Sequence, residues 1–178
     1  MKKIVVFAGS NSKKSINKEL AIYTSSFLEN VEVVVLDLND FILPLYGVDE
    51  ELANGIPKRA SDFLKIVHNS DGIILSLAEH NGNFAVAFKN IYDWSSRITQ
   101  KLWNNIPMIV MATSPGSRGG ATVLAIAKSG FPYMGGNIIA DFSLPNFYDN
   151  FKEGKIINLD FLTTLKAQVM QFENSVHQ

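Results

Sequence analysis

The chain has 178 residues, 47% hydrophobic and 19% charged, with a formal net charge of −1 and no cysteine. That length suits one domain, residues 1–178, and the near-neutral balance gives no reason to expect nucleic acid, an anionic membrane or a basic docking protein as partner. Disulfides, thiolate metal sites and redox dithiols are excluded, and no run reaches the ~18 apolar residues of a membrane helix. Ile4–Ala8 is too short for a signal-peptide core, so a cytoplasmic protein is expected.

In chain order, Ile4–Ala8 is a continuous apolar run that predicts a first strand. A helical pattern follows over Ser15–Glu29, where Leu20, Tyr23, Thr24, Phe27 and Leu28 recur at helical spacing. Val31–Leu36 predicts a second strand. The long loop Asn39–Ile56, with Pro44, Tyr46 and Gly47, precedes a helix over Pro57–Asn69, whose proline suits a first turn. Asp71-Gly72 breaks the chain ahead of a third strand, Gly72–Leu77. Helices are then predicted over Phe84–Lys101 and Gly120–Ser129, and strands at Met108–Ala112 and Asn137–Phe142. A second long loop, Phe142–Asn158, with Pro145, Phe147 and Tyr148, leads to a last helix at Leu159–Glu173. Loops this long are often functional. Their aromatics suit a lid, surface packing or a dimer contact, the last being favoured. Most of the strands are continuous rather than alternating, as in a parallel sheet buried on both faces. Strand and helix alternate, so a three-layer α/β domain is expected. Its five-stranded parallel sheet takes the order 2-1-3-4-5.

The segment after the first strand, Gly9 to Asn17, reads as an anion site. Unpaired N–H groups and the positive end of a helix dipole face whatever sits there. Ser10, Ser12, Ser15 and Asn17 add neutral donors, and Lys13 and Lys14 add charge. A Walker loop fails because Gly9 is the only glycine before Gly47. A dinucleotide fingerprint fails because Asn11 and Lys14 replace its second and third glycines, although Asp37 sits near the acidic position of that motif. A single terminal phosphate fits better, as in flavodoxin-like folds that bind FMN at the strand switch point. The plainer alternative is a helix entry capped by Ser12 or Ser15.

Two further polar loops belong to the same end of the sheet: Ser76 to Phe84 after the third strand, and Thr113 to Gly120 after the fourth. Gly116, Gly119 and Gly120 would let backbone approach a flat ring or form an anion nest, with a ligand-free helix entry as the alternative. At these residues the chain resembles the NAD(P)H-dependent FMN reductase family, which includes quinone, chromate and azo-dye reductases of flavodoxin-like fold. The family's first loop, G-S-x-R-x-x-S-x-N, is matched by Gly9, Ser10, Ser15 and Asn17. Its second motif, P-E-Y-N-x-S-x-P-x-x-L-K-N-x-x-D-W, is matched without a gap by Glu79, Asn81, Lys89, Asn90, Asp93 and Trp94. Its third, a Ser/Gly-rich loop, is matched by Ser114, Gly116, Gly119 and Gly120. Ser12 departs from the family's arginine, Ala78 and Ala85 from prolines, His80 from an aromatic beside the flavin, and Asn83 from a small hydroxyl residue.

The resemblance implies FMN as cofactor, NADPH or NADH as electron donor, and a small-molecule acceptor such as a quinone, free flavin or azo or nitro compound. It implies a phosphate cradle of Ser10, Ser12, Ser15, Ile16 and Asn17. The backbone of Glu79, His80, Asn81 and Gly82 would lie at the ring edge, with His80 against the ring face. Ser114, Gly116 and Gly119 would close the pyrimidine side or leave room for nicotinamide. The flavin carries the chemistry, so no catalytic side chain is assigned. A homodimer or homotetramer is a family expectation. A flavin-binding module or redox sensor without turnover is the competing class. His68, His80 and His177 show no ligand spacing, and Asp49-Glu50-Glu51 reads as a solvated loop or helix start. Trp94 is expected in the core or an interface, Asp93 as a helix-surface partner, and Lys89-Asn90 as orienting the preceding loop. Ser114 lacks the setting of a hydrolase nucleophile.

Overall fold

A computed structural model describes residues 1–178. The central elements are β1 (Lys2–Gly9), α1 (Ile16–Ser25), β2 (Val31–Val35), α2 (Val48–Asn54), α3 (Lys58–His68) and β3 (Gly72–Leu77). A small hairpin of β4 (Glu79–His80) and β5 (Asn83–Phe84) leads into α4 (Val86–Ile98), β6 (Pro107–Thr113) and α5 (Ala121–Gly130). The chain ends with β7 (Asn137–Leu144), α6 (Phe147–Asn150), a hairpin of β8 (Phe151–Lys152) and β9 (Lys155–Ile156), and α7 (Leu159–His177).

The main sheet runs β2-β1-β3-β6-β7, all parallel, which is the expected 2-1-3-4-5 order. Residues Ile4–Phe7 and all of β3 are buried, because helices cover both faces of these inner strands. Alternate side chains feed two separate cores. Val5, Phe7, Ile73 and Leu75 join Phe63, Phe88, Trp103 and Phe131 on one face. Ile4, Val6 and Ile74 join Leu20, Met111, Leu165 and Phe172 on the other. The chain leaves β1 toward β2 and returns across β1 to β3, so the carboxyl ends of β1 and β3 flank the switch-point crevice.

Several expected boundaries move. The first helix stops at Ser25 rather than Glu29: Phe27 and Leu28 continue in i to i−3 hydrogen bonds, and Asn30 turns left-handed with φ +55°. Helix α4 starts two residues late because Phe84 pairs in β5 and Ala85 is extended, and it ends at Ile98 where Thr99 is extended. Helix α7 runs on to His177. The two expected long loops are not structureless. Asn39–Ile56 contains α2, and Phe142–Asn158 contains the end of β7, α6 and the β8–β9 hairpin.

Candidate functional site

A crevice of about 220 Å³ opens at the carboxyl ends of β1, β3 and β6. Ser10, Ser12, Lys14, Ser15, Ile16 and Asn17 form one wall. Ala78, Glu79 and His80 form the second, and Thr113, Ser114, Pro115 and Tyr148 the third.

The first wall is built by local hydrogen bonds. Ser12 N–H donates to Ser10 Oγ at 3.1 Å, and Lys14 N–H to Ser12 Oγ at 3.3 Å. Ser15 is the N-cap of α1, its Oγ accepting from Lys18 N–H at 3.2 Å. That bond uses an acceptor lone pair, so the Ser15 hydroxyl proton stays available. The N–H groups of Ser15, Ile16 and Asn17 meet no protein acceptor. They point, with the α1 dipole, toward an anion at the helix start.

Asn17 also has a structural task. It is 3% exposed. Its Oδ1 accepts from Ser76 Oγ at 2.7 Å and Thr113 N–H at 3.0 Å, while Nδ2 donates to Thr113 O at 3.2 Å. Oδ1 and one Nδ2 hydrogen stitch α1 to the ends of β3 and β6, which leaves the second Nδ2 hydrogen and the backbone N–H for the crevice. Lys18 is withdrawn: its Nζ lies 2.6 Å from Asp37 Oδ2. The Lys18 ammonium, followed by the Asn39 N–H, holds the Asp37 carboxyl below its usual range. Asp37 is thereby occupied by protein groups. Lys14 supplies the charge in this wall.

The second wall, expected as a polar loop, folds as a hairpin that the sequence reading did not foresee. Asn81 and Gly82 have φ of +52° and +73°, a type I′ turn that closes the β4–β5 hairpin. The signal was present as the Asn-Gly dipeptide. The turn places His80 on the rim, where it also borders a neighbouring pocket of about 270 Å³ lined by Leu38, Phe41, Ile42, Leu43, Val86 and Ala87. Glu79 docks the hairpin on α5, its Oε2 accepting from Val123 N–H at 2.9 Å.

The third wall is anchored from behind. Ser114 Oγ donates to Gly116 O at 3.2 Å, and Gly116 O and Ser114 O accept from Asn146 N–H and Phe147 N–H at 2.9 and 3.0 Å. Gly119 has φ +57°, and a Cβ there would come within 2.8 Å of the Pro145 nitrogen, so no other residue fits. Asn81, Gly82, Gly116 and Gly119 shape these loops without lining the crevice. Tyr148, from α6, lines it and was not among the expected site residues.

The stretch Lys89–Trp94 has another task than orienting the loop before it. Lys89 pairs with Asp93 at 2.7 Å on the helix surface. Asn90 Oδ1 accepts from Tyr46 N–H at 2.8 Å, and Asn90 Nδ2 and Trp94 Nε1 both donate to Pro44 O, at 3.0 and 2.8 Å. These residues hold the Pro44–Tyr46 segment, and Trp94 is fully buried. Asp49, Glu50 and Glu51 form the first turn of α2, and Glu51 pairs with Arg97 at 2.9 Å. The crevice thus offers an anion seat at one end and hydrogen-bonding loops at the other.

Comparisons with known proteins agree with this geometry. The family described as NADPH-dependent FMN reductase matches residues 2–149. FerB of Paracoccus denitrificans, a flavoenzyme NAD(P)H:(acceptor) oxidoreductase, superposes with a TM-score of 0.78 at 25% identity, covering 99% of this chain and 98% of FerB. A quinone reductase of Escherichia coli is 27% identical over 123 residues, 66% of this chain and 63% of that protein. An NAD(P)H-dependent FMN reductase of Saccharomyces cerevisiae is 28% identical over 135 residues, 67% of this chain and 68% of the relative. With its parallel sheet, switch-point crevice and open α1 N-terminus, the chain belongs to the NADPH-dependent FMN reductase family.

Proposed function

We propose that this protein is a cytoplasmic FMN-dependent oxidoreductase. It takes electrons from NADPH or NADH and passes them to a small acceptor such as a quinone, free flavin or azo compound, in a two-step ping-pong exchange within one crevice. The observation that carries the reading is the row of unpartnered N–H groups at Ser15, Ile16 and Asn17, beside the hydroxyls of Ser10, Ser12 and Ser15. These groups fit a phosphate monoester. Ser10, Ser12, Ser15, Ile16 and Asn17 hold the phosphate of FMN in this reading, the last two through backbone N–H. Lys14 stands in for the absent arginine as a point charge rather than a bidentate fork. The loops Glu79–Gly82 and Ser114–Gly119 flank the ring, and His80 covers its face. Bound there, FMN supplies hydride acceptance and electron donation that no side chain of this chain provides. The protein's part is to seat, orient and shield. The whole chain, 1–178, acts as one binding domain.

A homodimer completes the proposal. Ile42, Leu45, Val48, Leu52 and Val86 are 81, 73, 62, 80 and 66% exposed, and α2 buries none of its residues. Such a cluster suits cover by a second copy. Sedimentation velocity tests this: Leu52→Asp should turn a dimer into a monomer, and a wild-type monomer would refute it.

The activity test is direct. The purified protein should show a bound-flavin spectrum and, under anaerobic conditions, turn over NADPH or NADH when a quinone is supplied as acceptor. Bound FMN without turnover would favour a flavin-binding sensor instead. No binding of FMN supplied in excess would refute both readings.

A further inference from the structure

We propose that Glu79 tunes the reducing power of the bound flavin, an inference that rests on the FMN reading above. Helices α1, α4 and α5, which follow β1, β3 and β6, all begin at the carboxyl edge of the sheet. The start of α1 is open, with three unpartnered N–H groups. The start of α5 is capped in part by the hairpin. Ala121 N–H donates to Arg118 O at 2.9 Å, and Val123 N–H donates to Glu79 Oε2 at 2.9 Å. The N-cap, Gly120, has no side chain to do this itself. The positive end of α5, which would otherwise favour an anion in the crevice, is met by a full carboxylate.

Glu79 is part of the crevice wall, and its carboxylate joins that wall to the start of α5. No lysine, arginine or histidine nitrogen comes within 4 Å of it, so no side-chain partner neutralises it. Hydride transfer from NAD(P)H delivers two electrons and one proton. The nicotinamide leaves with a positive charge, and the flavin ring is left one unit more negative. A fixed negative charge in the wall therefore opposes the reduced form more than the oxidised one. Glu79 makes reduced FMN the more weakly held, and so the stronger donor.

Glu79→Gln separates charge from structure, because the amide oxygen still accepts from Val123 N–H. The affinities of FMN-free protein for oxidised FMN and, anaerobically at mildly alkaline pH, for chemically reduced FMN are to be measured in both proteins. The ratio of reduced to oxidised dissociation constants should fall about tenfold in the variant, equivalent to a midpoint potential about 30 mV higher for a two-electron couple. The melting temperature should stay unchanged, whereas Glu79→Ala should lower it. An unchanged ratio in Glu79→Gln would overturn the proposal. So would equal weakening of both forms together with a lowered melting temperature, which would make Glu79 a structural cap only. Failure of the wild-type protein to bind FMN would instead remove the flavin reading, and this inference with it, before any variant is compared.

Discussion

Replacing Asn17 with alanine removes the amide that joins α1 to β3 and β6, and it strands three polar groups at once. Ser76 and Thr113 are 0 and 1% exposed, so the Ser76 hydroxyl and the N–H and C=O of Thr113 lose their partner away from bulk water. A stranded neutral group costs about 1–3 kcal/mol. The Ser76 hydroxyl can rotate toward another acceptor, and the Thr113 N–H cannot move. The sum is about 4 kcal/mol, below the simple total of three full penalties. For a chain of this size 1 kcal/mol corresponds to ~2–4 °C, so the melting temperature should fall by roughly 12 °C. Urea unfolding should show a lower midpoint with an unchanged slope. Titration with FMN and with riboflavin, which lacks the phosphate, completes the assay. A loss under about 1 kcal/mol, combined with a selective loss of FMN affinity, would refute the reasoning. That result would return the Asn17 amide to the phosphate.

Other predictions concern groups away from the crevice. Asp37 has a lowered pKa, so its contribution to stability is present above the pKa of the unfolded chain and is lost as pH falls through the folded value, below about pH 4. Asp37→Asn should flatten the loss of urea midpoint in that window, by a small amount because Lys18 and Asp37 are 31 and 34% exposed; an unaltered acid limb would contradict this. Ser95 Oγ is buried without a partner, so Ser95→Ala should be neutral or stabilising by up to ~1 kcal/mol, and a clear destabilisation would reveal a partner for it. Burial pushes the Tyr92 phenol up to about 12, helped by the nearby Asp93 charge. Among the five tyrosines, the last to ionise in an ultraviolet pH titration should vanish in Tyr92→Phe, and persistence of that step would exclude the assignment.

The inner strands β1, β3 and β6 were legible because strands buried on both faces must be apolar at successive positions, and the edge strands β2 and β7 were legible from their β-branched runs. Their order was legible because a phosphate loop after the first strand belongs to a switch point. Helix α2 was not, since Val48–Asn54 buries no residue and so carries no amphipathic stripe. The β4–β5 hairpin has two-residue strands, too short for any periodicity, and only Asn81-Gly82 betrays it. In the site, the three loops could be read locally. Local reading also placed Asn17 correctly at the helix start, yet its side-chain partners Ser76 and Thr113 lie 59 and 96 residues away. The same distance in sequence hid Glu79 and Val123, 44 residues apart, and the arrival of Tyr148 from beyond β7.

The stitch at Asn17 also bears on how the protein is made. The start of α1 is fixed only when the last residue of β6 has paired, although α1 itself is complete by Ser25. During synthesis from the N-terminus, the first 112 residues contain every group of the phosphate wall and still lack the strand end that holds it in place. In the proposed FMN reading, a ribosome-bound fragment ending before Thr113 therefore lacks the contacts that fix the start of α1, and its flavin affinity should be lower than that of the full chain.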